Sequence, residues 1–234
     1  MKTVAIVLSA GRGTRMNSDV AKQYLPLNGR PVLFYCMDVF QKSFIDEIVL
    51  VCARDDIEYC KKEIVEKYGF SKVKTIVEGG KERYNSVYNG LCAAEQADYA
   101  FIHDGARPFV DNDMLGRVYE EVKLHKACIV AVPVKDTIKV SDADGFVGDT
   151  PKRSSLYQVQ TPQVFEYSLI KEAYKEVLDN EESMKARGIS ITDDAMIVES
   201  VSDTKVKLVE GSYRNIKITT PEDMLVAESF LQDK

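Results

Sequence analysis

The chain has 234 residues, 45% of them apolar and 29% charged, and a formal net charge of −6. That length supports one large α/β domain or two small ones around a sizeable core, and the acidic balance argues against nucleic acid as the main partner. No apolar run approaches the ~18 residues of a membrane span, and the opening residues lack the basic region and cleavage site of a secretory signal, so a cytoplasmic protein with no membrane partner is expected.

The apolar run Val4–Leu8 has the character of a buried parallel strand, and Ser9-Ala10-Gly11-Arg12-Gly13-Thr14-Arg15-Met16 follows it. Small residues at the carboxyl end of a strand let backbone N–H groups close around an anion. Arg15 and Lys22 can then reach phosphate oxygens, which points to a nucleoside triphosphate site with Ser9, Ala10, Gly11 and Gly13 in its wall. A tight turn would explain the glycines alone. Residues 9–30, however, also carry Arg12, Arg15, Lys22 and Arg30 against one acid, Asp19. Met16 is too bulky for the third glycine of a dinucleotide fingerprint, and the Gly-Lys-Ser/Thr ending of a P-loop is missing.

Strand-like and helical segments then alternate: a helix after Pro31, a strand over Glu47–Cys52, a helix from about Asp55 and a strand over Lys74–Val77. Next come a helix from about Tyr84, a strand over Tyr99–His103, a helix from about Asn112 and a strand over Cys128–Val134. This order predicts a Rossmann-like, mostly parallel twisted sheet with helices on both faces and ligands beyond the carboxyl ends of the strands. The Ser9–Tyr24 loop, the Gly79–Ser86 loop and Asp104 all fall at such ends, so they share one rim.

From Lys135 the rhythm changes. Thr137–Val140 and Phe146–Asp149 flank the turn-rich Ser141-Asp142-Ala143-Asp144-Gly145, which predicts a projecting β-arm over residues 136–155. Helices are expected near Phe165–Leu178 and Thr192–Ser200, strands near Val206–Val209 and Asn215–Ile218, and a last helix opened by Pro221. With no internal repeat or linker, residues 1–234 form a single domain with that arm. Five scattered cysteines (Cys36, Cys52, Cys60, Cys92, Cys128) have the placement of reduced thiols. With only His103 and His125 available, a zinc site is not expected.

Within this frame, Asp104 at the end of an apolar strand can hold Mg²⁺ together with phosphate oxygens, or simply cap the next turn. Gly79 and Gly80 allow backbone to approach a base edge, Ser86 can offer a hydroxyl, and Arg83 would lie near the base or the loop's own acids. A residue at a helix N-terminus would explain Ser86 equally well. Arg107 can pair with an acid or steady its loop, and His103 is expected to hydrogen-bond within the fold. Lys217 lies between Ile216 and Ile218, so alternation turns its side chain off the core face.

Leu8–Met16 and Ala21-Lys22-Gln23-Tyr24-Leu25 resemble the opening of the sugar-phosphate nucleotidyltransferases, and most closely the 2-C-methyl-D-erythritol 4-phosphate cytidylyltransferase family of the non-mevalonate isoprenoid pathway. The resemblance runs on through Gly79–Val87, His103-Asp104-Gly105-Ala106-Arg107-Pro108, Pro133–Lys139, Gln160-Thr161-Pro162-Gln163, Thr192-Asp193-Asp194-Ala195 and Asn215–Asp223. It implies attack of a sugar-alcohol phosphate on the α-phosphorus of CTP, with Mg²⁺ as cofactor and pyrophosphate leaving. It also implies that Arg15 and Lys22 bracket the triphosphate, and that Ser9, Ala10, Gly11, Gly13, Gly79, Gly80, Arg83, Ser86, Asp104 and Gly105 bind the nucleotide. Arg153 and Lys217 would position the attacking phosphate, with hydroxyls from Thr137, Thr161 and Thr192. The arm would mediate a homodimer in which Arg153 completes the partner's pocket. Three positions depart from the family pattern: Leu8-Ser9 where Pro-Ala is usual, Gly105 where alanine is common, and Lys81 where an acid is frequent. A ribitol-5-phosphate cytidylyltransferase and a non-catalytic nucleotide-binding homologue are the alternatives.

Overall fold

The computed structural model describes residues 1–11, 13, 16, 20–94, 96–186 and 190–232. Arg12, Arg15 and Asp19, which carried part of the charge argument, lie outside the described residues.

Seven strands build the central sheet: β1 (Thr3–Ser9), β4 (Glu47–Cys52), β5 (Val73–Glu78), β6 (Tyr99–Asp104), β7 (Ala127–Pro133), β10 (Tyr157–Glu166) and β11 (Lys207–Glu210). Pairs of two- and three-residue strands make small ribbons elsewhere, β2 (Pro26–Leu27) with β3 (Arg30–Pro31), and β8 (Val140–Ser141) with β9 (Val147–Asp149) in the arm. The sheet order is β11-β7-β10-β6-β1-β4-β5. Every neighbouring pair is parallel except the two made by β10. The chain winds outward from β1 through β4 to β5, then returns to lay β6 on the other side of β1. The carboxyl ends of β1 and β6 therefore form the switch point of the sheet, where a crevice opens in folds of this kind.

The helices are α1 (Val32–Lys42), α2 (Ile57–Tyr59), α3 (Arg83–Ala93), α4 (Asn112–His125), α5 (Tyr167–Asp179), α6 (Glu181–Ala186), α7 (Asp194–Val201) and α8 (Pro221–Gln232). Side chains alternate across β1. Ala5 and Val7 pack with α1, α4 and the Cys60–Glu66 segment, whereas Val4 and Ile6 pack with α3, α5 and α7. Both faces are thus covered, as a continuous apolar strand requires.

Three elements differ from the sequence reading. The helix expected from Asp55 is composite: a 3₁₀ turn at Arg54–Asp56, one α turn and a π-helical stretch at Cys60–Glu66. Tyr24 touches two successive residues here, its hydroxyl 3.1 Å from Cys60 Sγ and its ring edge-on to Tyr59. A widened turn accommodates both contacts. Strand β10 was not foreseen, because Gln158, Gln160, Gln163 and Pro162 hide its apolar pattern. Its ladder to β7 breaks between Val159 and Gln163, which is where a proline can sit inside a sheet. The helix expected at Phe165 accordingly starts two residues later, at Tyr167. Finally, Asn215–Ile218 is an irregular segment and not a strand, tied to the β6 turn by Ile218 N–H donating to the Ala106 carbonyl at 2.9 Å.

Candidate active site

A cleft of about 560 Å³ opens at the switch point. Ser9, Ala10, Gly11, Lys22, Gly79, Gly80, Arg83, Ser86, Asp104 and Lys217 line it together, although they come from five separate stretches of chain. Gly13 and Gly105 stand just behind this wall. Thr137, Arg153, Thr161 and Thr192 are not among its lining residues.

The first loop is held from below. Gln23 is buried, and its amide donates to the carbonyls of Ser9 and Gly11, so two turns of the loop are pinned by one side chain. The Ser9 hydroxyl donates to the Val51 carbonyl, leaving its backbone toward the cleft. Met16, excluded as a fingerprint residue, is instead a buried plug that packs with Leu27, Val32, Ile218 and Ala227. Gly13 has φ +62°, and a Cβ there would lie 3.1 Å from the Lys22 stem, so the glycine is what lets that lysine cross the loop. Arg30, counted above in the positive excess of residues 9–30, stacks over the Phe34 ring at 4.3 Å.

The second loop meets the first at Gly79, where a Cβ would fall 2.5 Å from the Ala10 Cβ. Glu82 caps α3 reciprocally with Asn85. Ser86 lies one residue further on, and its hydroxyl accepts from Gly80 N–H at 3.0 Å while donating to the Glu82 carbonyl at 3.2 Å. That hydroxyl shapes the turn and its hydrogen-bonding capacity is largely engaged within it.

Asp104 sits on the cleft floor among three cations. Lys217 Nζ is 2.8 Å from its Oδ2, Arg83 Nε is 3.4 Å from Oδ1, and Arg107 Nε is 3.8 Å from Oδ2. Burial by itself would raise the carboxyl. Arg83, Lys217 and Arg107 outweigh it and hold the group well below the usual carboxylate range. Lys217 reaches this position although its segment is irregular and not the alternating strand expected, with Ile216 and Ile218 packed on the apolar side. Arg107 is anchored by carbonyls, donating to Asn215 at 2.8 Å and Val159 at 3.4 Å.

Thr161, expected to donate to a second substrate, is buried and engaged inside the fold. Its Oγ accepts the Asp104 N–H at 3.0 Å and lies 3.1 Å from His103 Nδ1. His103 Nε2 is 3.1 Å from the Arg107 carbonyl, which can only accept, so Nε2 carries the proton and Nδ1 accepts from Thr161. Burial pushes His103 down to about 4, keeping it neutral. This relay fixes the backbone on either side of Asp104. Gly105 follows it closely, since a Cβ there would lie 2.9 Å from the Leu8 carbonyl oxygen. Alanine would strain this turn.

Thr192 is exposed, and its hydroxyl is 3.1 Å from Met196 Sδ. Thr137 and Arg153 lie on the exposed arm, where Arg153 donates to the Lys135 carbonyl at 3.1 Å. Sequence reasoning gave no role to Gln23 or Asp194, both buried and both tied to the site. The acid pair Asp193-Asp194 before an apolar run is the signature of a helix start, and Asp193 does cap α7. No local pattern marks Gln23.

The sequence profile described as IspD, 2-C-methyl-D-erythritol 4-phosphate cytidylyltransferase, matches residues 3–233. A protein of that name from Lachnoclostridium phytofermentans is 50% identical over 232 residues, covering 99% of this chain and 97% of its own. One from Alkaliphilus oremlandii is 48% identical over 235 residues, covering 100% and 96%. Among solved structures, a 4-diphosphocytidyl-2C-methyl-D-erythritol synthase from Anaerococcus prevotii superposes with a TM-score of 0.85 at 37% identity, covering 99% of this chain and 96% of that one. A 2-C-methyl-D-erythritol 4-phosphate cytidylyltransferase from Thermus thermophilus gives 0.75 at 28% identity, covering 97% and 98%. With its cation-lined cleft at the β1/β6 switch point and this agreement along its whole length, the chain belongs to the 2-C-methyl-D-erythritol 4-phosphate cytidylyltransferase family.

Proposed function

We propose that this protein joins CTP and 2-C-methyl-D-erythritol 4-phosphate, releasing pyrophosphate and forming the CDP-linked alcohol used in isoprenoid synthesis. The observation that carries this reading is the meeting of Lys22, Arg83 and Lys217 around one cleft whose floor is the ionised Asp104. Both reactants are polyanions. Two unit charges 4 Å apart repel by about 4 kcal/mol at an effective dielectric of 20, so cations must be in place before the acceptor approaches. The acceptor phosphate is already a nucleophile at neutral pH, and no side-chain base is needed.

In this reading the Ser9–Gly13 backbone and Lys22 hold the triphosphate while charge builds on its equatorial oxygens. Arg15, outside the described residues, shares that role by resemblance. Gly79, Gly80 and the turn fixed by Ser86 receive the pyrimidine edge. Lys217 draws the attacking phosphate toward the α-phosphorus. Among the described residues no group of three or more metal-ligating side chains occurs, and Asp104, on the cleft floor, is the carboxylate that would hold a magnesium ion. That suits an ion that takes one or two carboxylates with phosphate oxygens and water. When bound, Mg²⁺ supplies further neutralisation of phosphate charge.

We further propose a homodimer formed through the arm. Ile138, Val140, Phe146 and Val147 are exposed there, and Tyr157 beside them at the start of β10, an apolar surface that a second copy would cover. Thr137 and Arg153 lie on this arm and away from the chain's own cleft, which supports delivery of both to the partner's site. The five free thiols accord with a reducing compartment, and we place the enzyme in the cytoplasm. The test is pyrophosphate release from CTP and Mg²⁺ with methylerythritol phosphate or ribitol 5-phosphate. Turnover with the first is expected. Turnover with the second alone, or with neither, would overturn the assignment.

A further inference from the structure

We infer that Asp194 is a positioning residue for this reaction, fixing the Arg83 guanidinium so that it presents one edge to Asp104 and the nucleotide cleft. The inference rests on the cytidylyltransferase reading above and adds a residue that lines no part of the cleft. Asp194 has no exposed surface. Arg83 Nη1 and Nη2 donate to its two carboxylate oxygens, each at 2.7 Å, in the parallel fork that only arginine can make. The third nitrogen, Nε, is left for Asp104 at 3.4 Å. One N–H on each Nη then remains, and the side chain is 30% exposed where it borders the cleft.

The carboxylate is itself rigidly set. The Tyr174 hydroxyl donates to Asp194 Oδ1 at 2.5 Å from α5. The backbone N–H groups of Asp194 and Ala195 donate to Gln163 Oε1 at 3.0 and 2.9 Å, so β10 holds the start of α7. Gln163 Nε2 also donates to Asp193 Oδ2 at 3.1 Å. Three elements thus converge on one acid that touches nothing in the cleft except through Arg83.

An ion pair whose acid is wholly buried is an expensive way to staple two helices, since well-packed apolar residues do the same with no desolvation cost. What the pair provides and apolar packing cannot is direction. It stops Arg83 from collapsing onto Asp104 in its own bidentate fork, which would cover the carboxylate that Lys217 and phosphate-bound cations share. It also offsets one of the positive charges around Asp104, so the floor keeps a single acid accessible among Arg83, Arg107 and Lys217.

The experiment is a double-mutant cycle of Asp194→Asn, Arg83→Gln and the pair, read as kcat and KM for CTP, with thermal unfolding of each variant measured alongside. Asp194→Asn keeps the shape and is expected to lower kcat/KM by about ten- to a hundredfold in the native background and to change it little when Arg83→Gln is already present. Arg83→Lys, which keeps the charge without the fork, should not restore the loss. Equal losses from Asp194→Asn in both backgrounds, or unaltered kinetics, would overturn the inference. Should Asp194→Asn not fold, Tyr174→Phe leaves Asp194 Oδ1 with Arg83 Nη1 but without its tyrosine donor, and is expected to raise KM for CTP about threefold, and only when Arg83 is present. An unchanged KM there would likewise overturn it. The Arg83 Nη–H resonances give a readout that does not depend on turnover. They should be protected from exchange in the native protein, where Asp194 accepts from both Nη groups, and lose that protection in Asp194→Asn, whether or not the acceptor is methylerythritol phosphate.

Discussion

Acid should loosen this protein through His103 before the site's carboxylate is protonated. The imidazole is fully buried between Thr161 and the Arg107 carbonyl, and burial lowers it from 6.5 to about 4. Between those values the unfolded chain binds a proton that the native one excludes. Stability therefore falls as pH drops from about 6.5 towards 4, and the loss levels off below that. The full difference is about 3 kcal/mol, of which roughly 2.5 kcal/mol is reached by about pH 4.5. For a domain of this size that lowers Tm by roughly 5–10 °C. Asp104 works in a different window: its carboxyl is depressed, so its contribution is present above the ordinary carboxylate value and lost only as pH falls beneath it. The assay is thermal unfolding across roughly pH 7.5 to 4.5 for the native protein and His103→Gln. The variant should begin less stable, having lost its place in the relay, yet its Tm should fall less steeply by about that amount. Equal slopes would refute the idea that a buried neutral imidazole braces Asp104.

Other consequences follow from the same geometry. Lys22→Ala and Lys217→Ala should each reduce kcat by about 10²–10³, and Lys217→Ala should lower Tm as well, because it removes a cation 2.8 Å from the buried Asp104 carboxylate; near-native turnover of either at saturating substrates would remove it from the mechanism. Gly79→Ala places a methyl 2.5 Å from the Ala10 Cβ and should raise KM for CTP by prying the two loops apart, which nucleotide-binding calorimetry would detect. If arms cross between subunits, mixing equal amounts of Lys22→Ala and Arg153→Ala chains should restore about a quarter of native activity, since one site in four recovers both groups; a mixture as inactive as its parents would argue that each arm serves its own cleft.

What could be read from the residues divides along physical lines. Val4–Leu8, Ile48–Cys52 and Tyr99–Ile102 are continuous apolar runs, and a strand covered on both faces leaves that mark. Chain order then placed the Ser9, Gly79 and Asp104 segments at one rim without any knowledge of side-chain contacts. Lys217 was legible for a similarly simple reason, since two flanking isoleucines can face the core only if the lysine does not. Strand β10 was illegible because its glutamines work inside the fold: Gln160 Nε2 donates to the Ser212 carbonyl at 2.8 Å, and Gln163 holds the start of α7. The roles of Thr161 and Asp194 depend on partners 57 and 111 residues away. Nothing within a local window records such pairings, and a hydroxyl meant for a substrate looks the same in sequence as one meant for a histidine.

The chemistry itself can be followed atom by atom. Acceptor phosphate carrying ¹⁸O in its non-bridging oxygens, incubated with CTP, Mg²⁺ and the protein, reports which oxygen attacks through the isotope shifts of its phosphorus-31 resonances. Attack by the acceptor phosphate on the α-phosphorus predicts ¹⁸O in the bridge between the two phosphorus atoms of the product and none in the pyrophosphate released. Label in the pyrophosphate, or CTP consumed to CMP with no bridged product, would contradict it.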